Sequence, residues 1–236
     1  MAETATPARA WRIVRERIES DLLDGRLAPG DHLPPERELA ASLGVGRSSV
    51  REALRVLDVL GLIRTATGSG PSSGAIVIAT PRGGMAALLR LQVAAQGFPL
   101  EDVMRTRLIL ESAVAEVLAE EGGVLTDALA ALDAMDAPGL TPEEFLALDA
   151  AFHRALADAS GNAVVAAMMS GLREAIESYV VAGAARIDDW DATADRLRHE
   201  HRDIVAAVVA HEPERARALL RDHITGYYAH AGLTRD

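Results

Sequence analysis

The chain has 236 residues, no cysteine, 49% apolar residues and a formal net charge of −11. All 24 basic residues are arginine; residues 1–80 carry 10 Arg against 10 acids, and residues 81–236 carry 14 against 25. Without cysteine there is no disulfide framework, thiolate zinc site, iron–sulfur cluster or cysteine nucleophile. The apolar content excludes a disordered chain, and no uncharged stretch is both long and apolar enough to span a bilayer. The first residues, MAETATPARAW, have no apolar core and do not form a secretory signal. The expectation is a cytoplasmic protein without membrane contact, in two parts with different jobs.

In chain order, residues 8–24 place Trp11, Val14, Ile18 and Leu22 at helical spacing, with Gly25 as the stop. A turn follows at Leu27–Asp31 (LAPGD). Pro34 and Pro35 open a short helix over Glu36–Leu43, as proline is tolerated in a first turn. Gly44-Val45-Gly46 breaks it, and a second helix runs from Arg47 to Leu60 with Val50, Leu54 and Leu57 inward. Helix, tight glycine turn, helix is the helix-turn-helix outline. Leu62–Ala66 and Ala75–Ala79 read as two strands joined by TGSGPSSG, which look like a wing. From residue 84 the pattern is helical, over 84–96, 101–121, 125–136, 142–159, 163–182, 191–210 and 213–231. The breaks at Gly97, Gly122-Gly123, Pro138-Gly139, Ser160-Gly161-Asn162 and Glu212-Pro213 carry turn chemistry. Thr141, Pro142 and Glu144 read as an N-cap, a first-turn proline and a capping-box glutamate. The fold class is therefore mainly α. A winged helix-turn-helix over residues 8–80 precedes an all-helical bundle of six to seven helices over residues 84–236.

On the second helix of the first part, Arg47, Arg51 and Arg55 are four apart and form one ridge opposite the apolar face. Arginine pairs with phosphate, or bidentately with a guanine edge. Ser48, Ser49 and the free amides at the helix start can donate to phosphate. The alternative is a solvated face with salt bridges; the glycine turn, the preceding helix and the wing favour DNA.

In the second part, four metal-competent side chains fall on apolar stripes. Asp149 and His153 share a face with Phe145, Leu148, Phe152 and Leu156. His201 aligns with Ile204, Val205 and Val208, and His223 with Leu219, Leu220 and Tyr227. Buried, these groups need partners. One divalent metal satisfies all four: zinc first, with nickel, manganese and iron as the other metals this donor set takes. Each histidine taken alone reads more readily as a hydrogen-bonded or half-exposed side chain than as a ligand, and Asp149 with His153 alone reads as a surface pair. Three helices each offering an inward ligand is the harder coincidence.

The run LAPGDHLPPERELA (27–40) with LGVGRSSVREALR (43–55) resembles the DNA-binding domain of GntR-type transcriptional regulators. The resemblance implies DNA contacts by Arg37, Arg47 and Arg51. The family's compact Gly-x-Gly wing is extended here: Gly68-Ser69-Gly70 continues into PSSG, and these glycines suit close backbone approach to DNA. RLILE (107–111), DAAFH (149–153), ASGN (159–162), EHR (200–202) and Asp222-His223 are similar to the all-helical FCD effector domain of the FadR branch. There the resemblance implies a divalent metal on Asp149, His153, His201 and His223, the same four that the stripes select. It also implies a small carboxylate effector paired with Arg107. Asn162 reads as an N-cap, with a secondary role in the effector pocket. For Arg107 the alternative is an ion pair with Glu111. The expected function is a homodimeric, ligand-responsive regulator on a short pseudo-palindromic operator, not an enzyme. The alternative is a metal-dependent hydrolase on the Asp/three-His set, for which no extra carboxylate stands out as a base; Glu200 projects off the stripe.

Overall fold

The computed structural model describes residues 7–66, 74–78 and 82–233. The chain splits into two compact units, Met1–Met85 and Ala86–Asp236. In the first, α1 (Pro7–Leu23), α2 (Glu36–Leu43) and α3 (Arg47–Val59) precede the antiparallel strands β1 (Ile63–Ala66) and β2 (Gly74–Val77). Val14 and Ile18 of α1, Leu39 of α2, Val50, Leu54 and Leu57 of α3, and Ile63 and Val77 of the strands form one core. Gly44 ends α2 in the left-handed region (φ 64°), where a Cβ is strained. That residue makes the tight corner between α2 and α3.

Two details differ from the sequence reading. Pro35 is the N-cap of α2 and does not enter its first turn. The segment before α2 joins the wing: Gly30 N–H donates to Val77 O (2.9 Å) and Leu33 N–H to Ala75 O (2.8 Å), with His32 bridging Ile76. A strand edge left open by a two-stranded ribbon is thereby paired. Gly68 and Gly70, the wing glycines, lie outside the described residues.

The second unit holds α5 (Leu100–Glu121), α6 (Thr126–Met135), α7 (Pro142–Ala159), α8 (Ala163–Ala184), α9 (Trp190–Val209) and α10 (Pro213–His230). Helix α4 (Arg82–Ala94) begins in the first unit and continues into the second. Helix α5 is central, packing on α7, α8, α9 and α10, while α6 packs on α7 and α9. The Thr141 capping box forms as its spacing predicts: Thr141 Oγ1 accepts from Glu144 N–H, and Glu144 accepts from Thr141 N–H. Phe145 and Phe152 of α7 are fully buried. The rest of the core is mainly Ala, Leu, Val and Ile, with Met104, Met135, Tyr227 and Tyr228. Among the described residues no helix is long and apolar enough to cross a membrane.

Candidate functional site

Helices α7, α9 and α10 each turn one apolar stripe inward, and each stripe carries a polar interruption. Asp149 and His153 come from α7, His201 from α9 and His223 from α10; all four are buried. Their ligand atoms converge within 4.8 Å of one another. Asp149 Oδ1 lies 3.1 Å from His201 Nε2, 3.6 Å from His153 Nε2 and 3.8 Å from His223 Nε2. His153 Nε2 and His223 Nε2 are 3.2 Å apart.

The surrounding residues decide what this cluster can do. His223 Nδ1 lies 2.8 Å from Glu200 Oε2, and His153 Nδ1 meets Glu111 Oε2. A carboxylate at Nδ1 favours the proton on that nitrogen, and a neutral ring so held presents the lone pair of its Nε2 to the cluster. Two lone pairs at that separation repel unless a cation lies between them. Ligands about 2.1 Å from a shared ion sit roughly 3.0–3.4 Å apart, close to the spacing observed. His201 Nε2 has no aligned hydrogen-bond partner, although it is fully buried. The donor set thus fits a divalent cation better than an internal hydrogen-bond network.

The electrostatics agree with that reading. Burial, then the charge of His223, pushes His201 down to about 4, leaving it uncharged at neutral pH. Burial also lowers His223. Burial alone raises Asp149, but His153, His201 and Arg173 hold it well below the usual carboxylate range. An ionised Asp149 beside an uncharged His201 is the state in which those two groups ligate metal.

Three shell residues were not assigned to the site from sequence. Glu111 is 2% exposed and sits against Arg107, His153 and Arg173. Glu200, set aside in sequence because it leaves the stripe, reaches His223 while pairing with Arg196. Arg173, on α8, donates to Asp149 Oδ2 at 3.1 Å. One oxygen of Asp149 is therefore held by arginine and the other is turned to the histidines. A buried arginine in a helix otherwise rich in Ala and Val was the one signal available for Arg173.

A cavity of about 80 Å³ opens beside the cluster, lined by Arg107, Asp149, Arg173, His223, Tyr228 and apolar side chains of α7, α8 and α10. One water needs roughly 10–15 Å³ on that scale, so the space suits a small molecule. Arg107 reaches the cavity, but it also forms the ion pair with Glu111 and donates to Tyr228 Oη at 2.6 Å. Burial lowers its pKa, and the charge of Glu111 more than reverses this. Asn162 does not line the cavity. Its Oδ1 accepts from Val164 and Val165 N–H at 3.1 Å each, as the N-cap of α8. The remaining histidines stay outside the cluster: His199 Nδ1 meets Asp195 O, and His211 Nδ1 meets Ala119 O.

In the first unit α3 presents Arg47, Ser48, Arg51 and Arg55 to solvent, with Ser49 half-buried, and Arg37 is exposed on α2. Among the described residues Arg37 and Arg47 have no acidic partner. Arg51 does: Nε and Nη2 donate to the two oxygens of Glu36 at 3.2 and 2.9 Å.

Residues 12–71 match the gntR family of bacterial regulatory proteins, and residues 102–226, more than half of the chain, match the FCD domain. The chain belongs to the GntR family of transcriptional regulators and carries an FCD effector domain. LutR of Bacillus subtilis, an HTH-type transcriptional regulator, is 30% identical over 208 residues, 86% of this chain and 92% of that protein. The HTH-type transcriptional repressor NanR of Cronobacter sakazakii is 29% identical over 230 residues, 92% of this chain and 83% of NanR. Among solved structures, Streptococcus agalactiae GntR shares the fold at a TM-score of 0.56 and 24% identity, covering 92% of this chain and 98% of that one. The relatives are transcriptional regulators, not enzymes, which sets the hydrolase alternative aside.

Proposed function

We propose that this regulator belongs to the FadR branch and acts in the cytoplasm as a homodimer whose activity on DNA is set by a small carboxylate bound at a metal centre. The winged helix-turn-helix spans residues 8–80 and the effector and dimerisation domain residues 84–236. Asp149, His153, His201 and His223 hold a divalent metal, zinc first. The observation that carries this reading is the pair of Nε2 atoms of His153 and His223, 3.2 Å apart with a carboxylate behind each ring. When bound, the ion supplies positive charge and open coordination positions for a ligand oxygen.

Charge balance supports an anionic effector. Arg107 and Arg173 are offset by Glu111 and Asp149, all four buried. A dication added to that balanced set leaves an excess positive charge in a poorly solvated site, which an anion relieves. The ligand changes DNA binding only through a different affinity for the two states of the protein. On α3, Arg47, Ser48, Ser49 and Arg51, with Arg37 from α2, contact the operator, and Gly68 and Gly70 bring the wing backbone to it. Two such heads fit the half-sites of a short pseudo-palindrome.

Elemental analysis of the full-length protein, purified without added metal, tests the centre. One divalent ion per chain is expected, with loss of the ion and a lower Tm in His153→Ala/His201→Ala/His223→Ala. Full metal occupancy in that triple variant refutes the site.

A further inference from the structure

Helix α5 carries two apolar faces. The inner one packs on α7, α8, α9 and α10. The outer one is open: Ile109 is 64% exposed and Ala113 is exposed, with Leu110 and Val117 half-buried. Leu110, Ala113 and Val117 line a groove with Val165 of α8. One exposed apolar side chain is ordinary. Ile109, Leu110, Ala113 and Val117 instead share one helical stripe, and an apolar stripe beside a groove marks a surface that meets another protein.

The order of residues along the stripe says which partner it fits. Ala113 stands at the centre. Ile109 and Val117 lie four residues to either side of it, and Arg105 and Glu121 eight. In a two-fold contact between identical surfaces, a residue that meets another on the partner is met by it in turn. An antiparallel α5–α5 contact centred on Ala113 therefore sets Ile109 against Val117 twice and Arg105 against Glu121 twice. The small side chain at the crossing lets the two axes approach to about 8 Å. At about 1.5 Å per residue the charged pairs fall roughly 12 Å from the centre, where an interface is polar. Both charges are available. Arg105 is exposed and paired within its own helix to Glu101 at 2.9 Å, and Glu121 is exposed with no cationic partner among the described residues. A parallel contact would instead set Arg105 on Arg105 and Glu121 on Glu121. The exposed Leu88 and Leu91 of α4 carry no such complementarity, because that helix contains no acidic residue.

We propose that the outer face of α5 is the surface on which two copies of this chain pair, antiparallel and centred on Ala113. This rests on the reading of the protein as a homodimer and names the surface and the register.

The chain has no cysteine, so an introduced one reports the contact directly. With axes about 8–10 Å apart and Cα atoms about 2.3 Å from each axis, facing Cα atoms lie roughly 3.5–5.5 Å apart, within reach of a disulfide. Full-length Ala113→Cys is expected to form a cross-linked dimer under mild oxidation. Ile109→Cys alone is not, since its two copies lie about 12 Å apart along the helices; mixed with Val117→Cys, it is. Arg105→Glu and Glu121→Arg are each expected to raise the dimer dissociation constant in sedimentation equilibrium about ten-fold or more, because like charges then face each other twice. Both changes in one chain restore it to within about three-fold of wild type. Arg105, Ile109, Ala113 and Glu121 are exposed, so these changes leave the core intact. A wild-type dimer that does not cross-link through Ala113→Cys, or does so through Leu91→Cys instead, overturns the face while leaving the homodimer in place. Ile109→Cys cross-linking to itself, or a double charge variant no tighter than the singles, overturns the register. A wild-type monomer at every concentration overturns the homodimer reading together with this proposal.

Discussion

The two units use the same residue in opposite ways. In the first, arginines stand on the surface of a nearly neutral unit: Arg37, Arg47 and Arg55 are exposed, and Arg51 is paired only with the half-buried Glu36. In the second, acidic unit, Arg107 and Arg173 are 5% and 7% exposed, packed with Glu111 and Asp149. A surface guanidinium costs little to keep and exchanges partners readily, which is what contact with phosphates and base edges requires. A buried guanidinium must be neutralised on the spot, so it becomes part of the fold or part of a ligand site. Burial, and not residue type, separates the arginines free to exchange partners at the surface from those fixed in the interior.

That contrast breaks most sharply at Glu111. Glu111→Ala leaves Arg107, Arg173 and His153 facing one another without their shared carboxylate. Breaking a buried charge cluster costs about 3–5 kcal/mol, so denaturant unfolding should show a loss of that size. A loss under about 1 kcal/mol, the range of an exposed pair, would mean that the buried set behaves like the surface one.

At the head the expected effect is on binding and not on folding. Arg47→Ala should weaken specific operator binding by about 1–3 kcal/mol and relax the preference at one base position, with the unfolding curve unchanged. Equal affinity for operator in variant and wild type removes Arg47 from the recognition surface. The smallest effect is expected at Glu36. Its carboxylate occupies the Nε–Nη2 side of Arg51 and adds negative charge beside the arginine ridge of α3. Glu36→Gln should change stability by at most about 1 kcal/mol. Its dependence of log affinity on log salt should steepen by about one phosphate contact. An unchanged slope would show that Arg51 already reaches phosphate with Glu36 set aside.

Much of the site was readable before any tertiary contact was known. Asp149 and His153 are one helical turn apart on the face of Phe145, Phe152 and Leu156, and that face is the buried one. His201 and His223 follow by the same logic on α9 and α10. The face of α5 was less clear. Its apolar residues suggest a stripe through Val103, Leu110, Val114 and Val117. The buried face instead runs through Val103, Met104, Arg107, Glu111, Val114, Ala115 and Leu118. Two charged residues on the interior side flatten the hydrophobic pattern, so spacing alone does not set the phase of this helix.

The amino-acid sequence by itself determined the order of helices, the helix-turn-helix with its arginine ridge, the capped start of α7 and the four residues of the candidate metal centre. Each rests on contacts within one turn or one stripe, where spacing alone dictates which side chains share a face. Only the tertiary structure decided the partners: Glu111 and Glu200 behind the histidines, Arg173 on Asp149, Tyr228 on Arg107, Glu36 on Arg51. These pairs join different helices, separated by 24 residues for Arg173 and Asp149 and by 121 for Arg107 and Tyr228. Periodicity carries no record of such pairings, because a buried charge chooses its partner by the three-dimensional need to be neutralised and not by its neighbours along the chain.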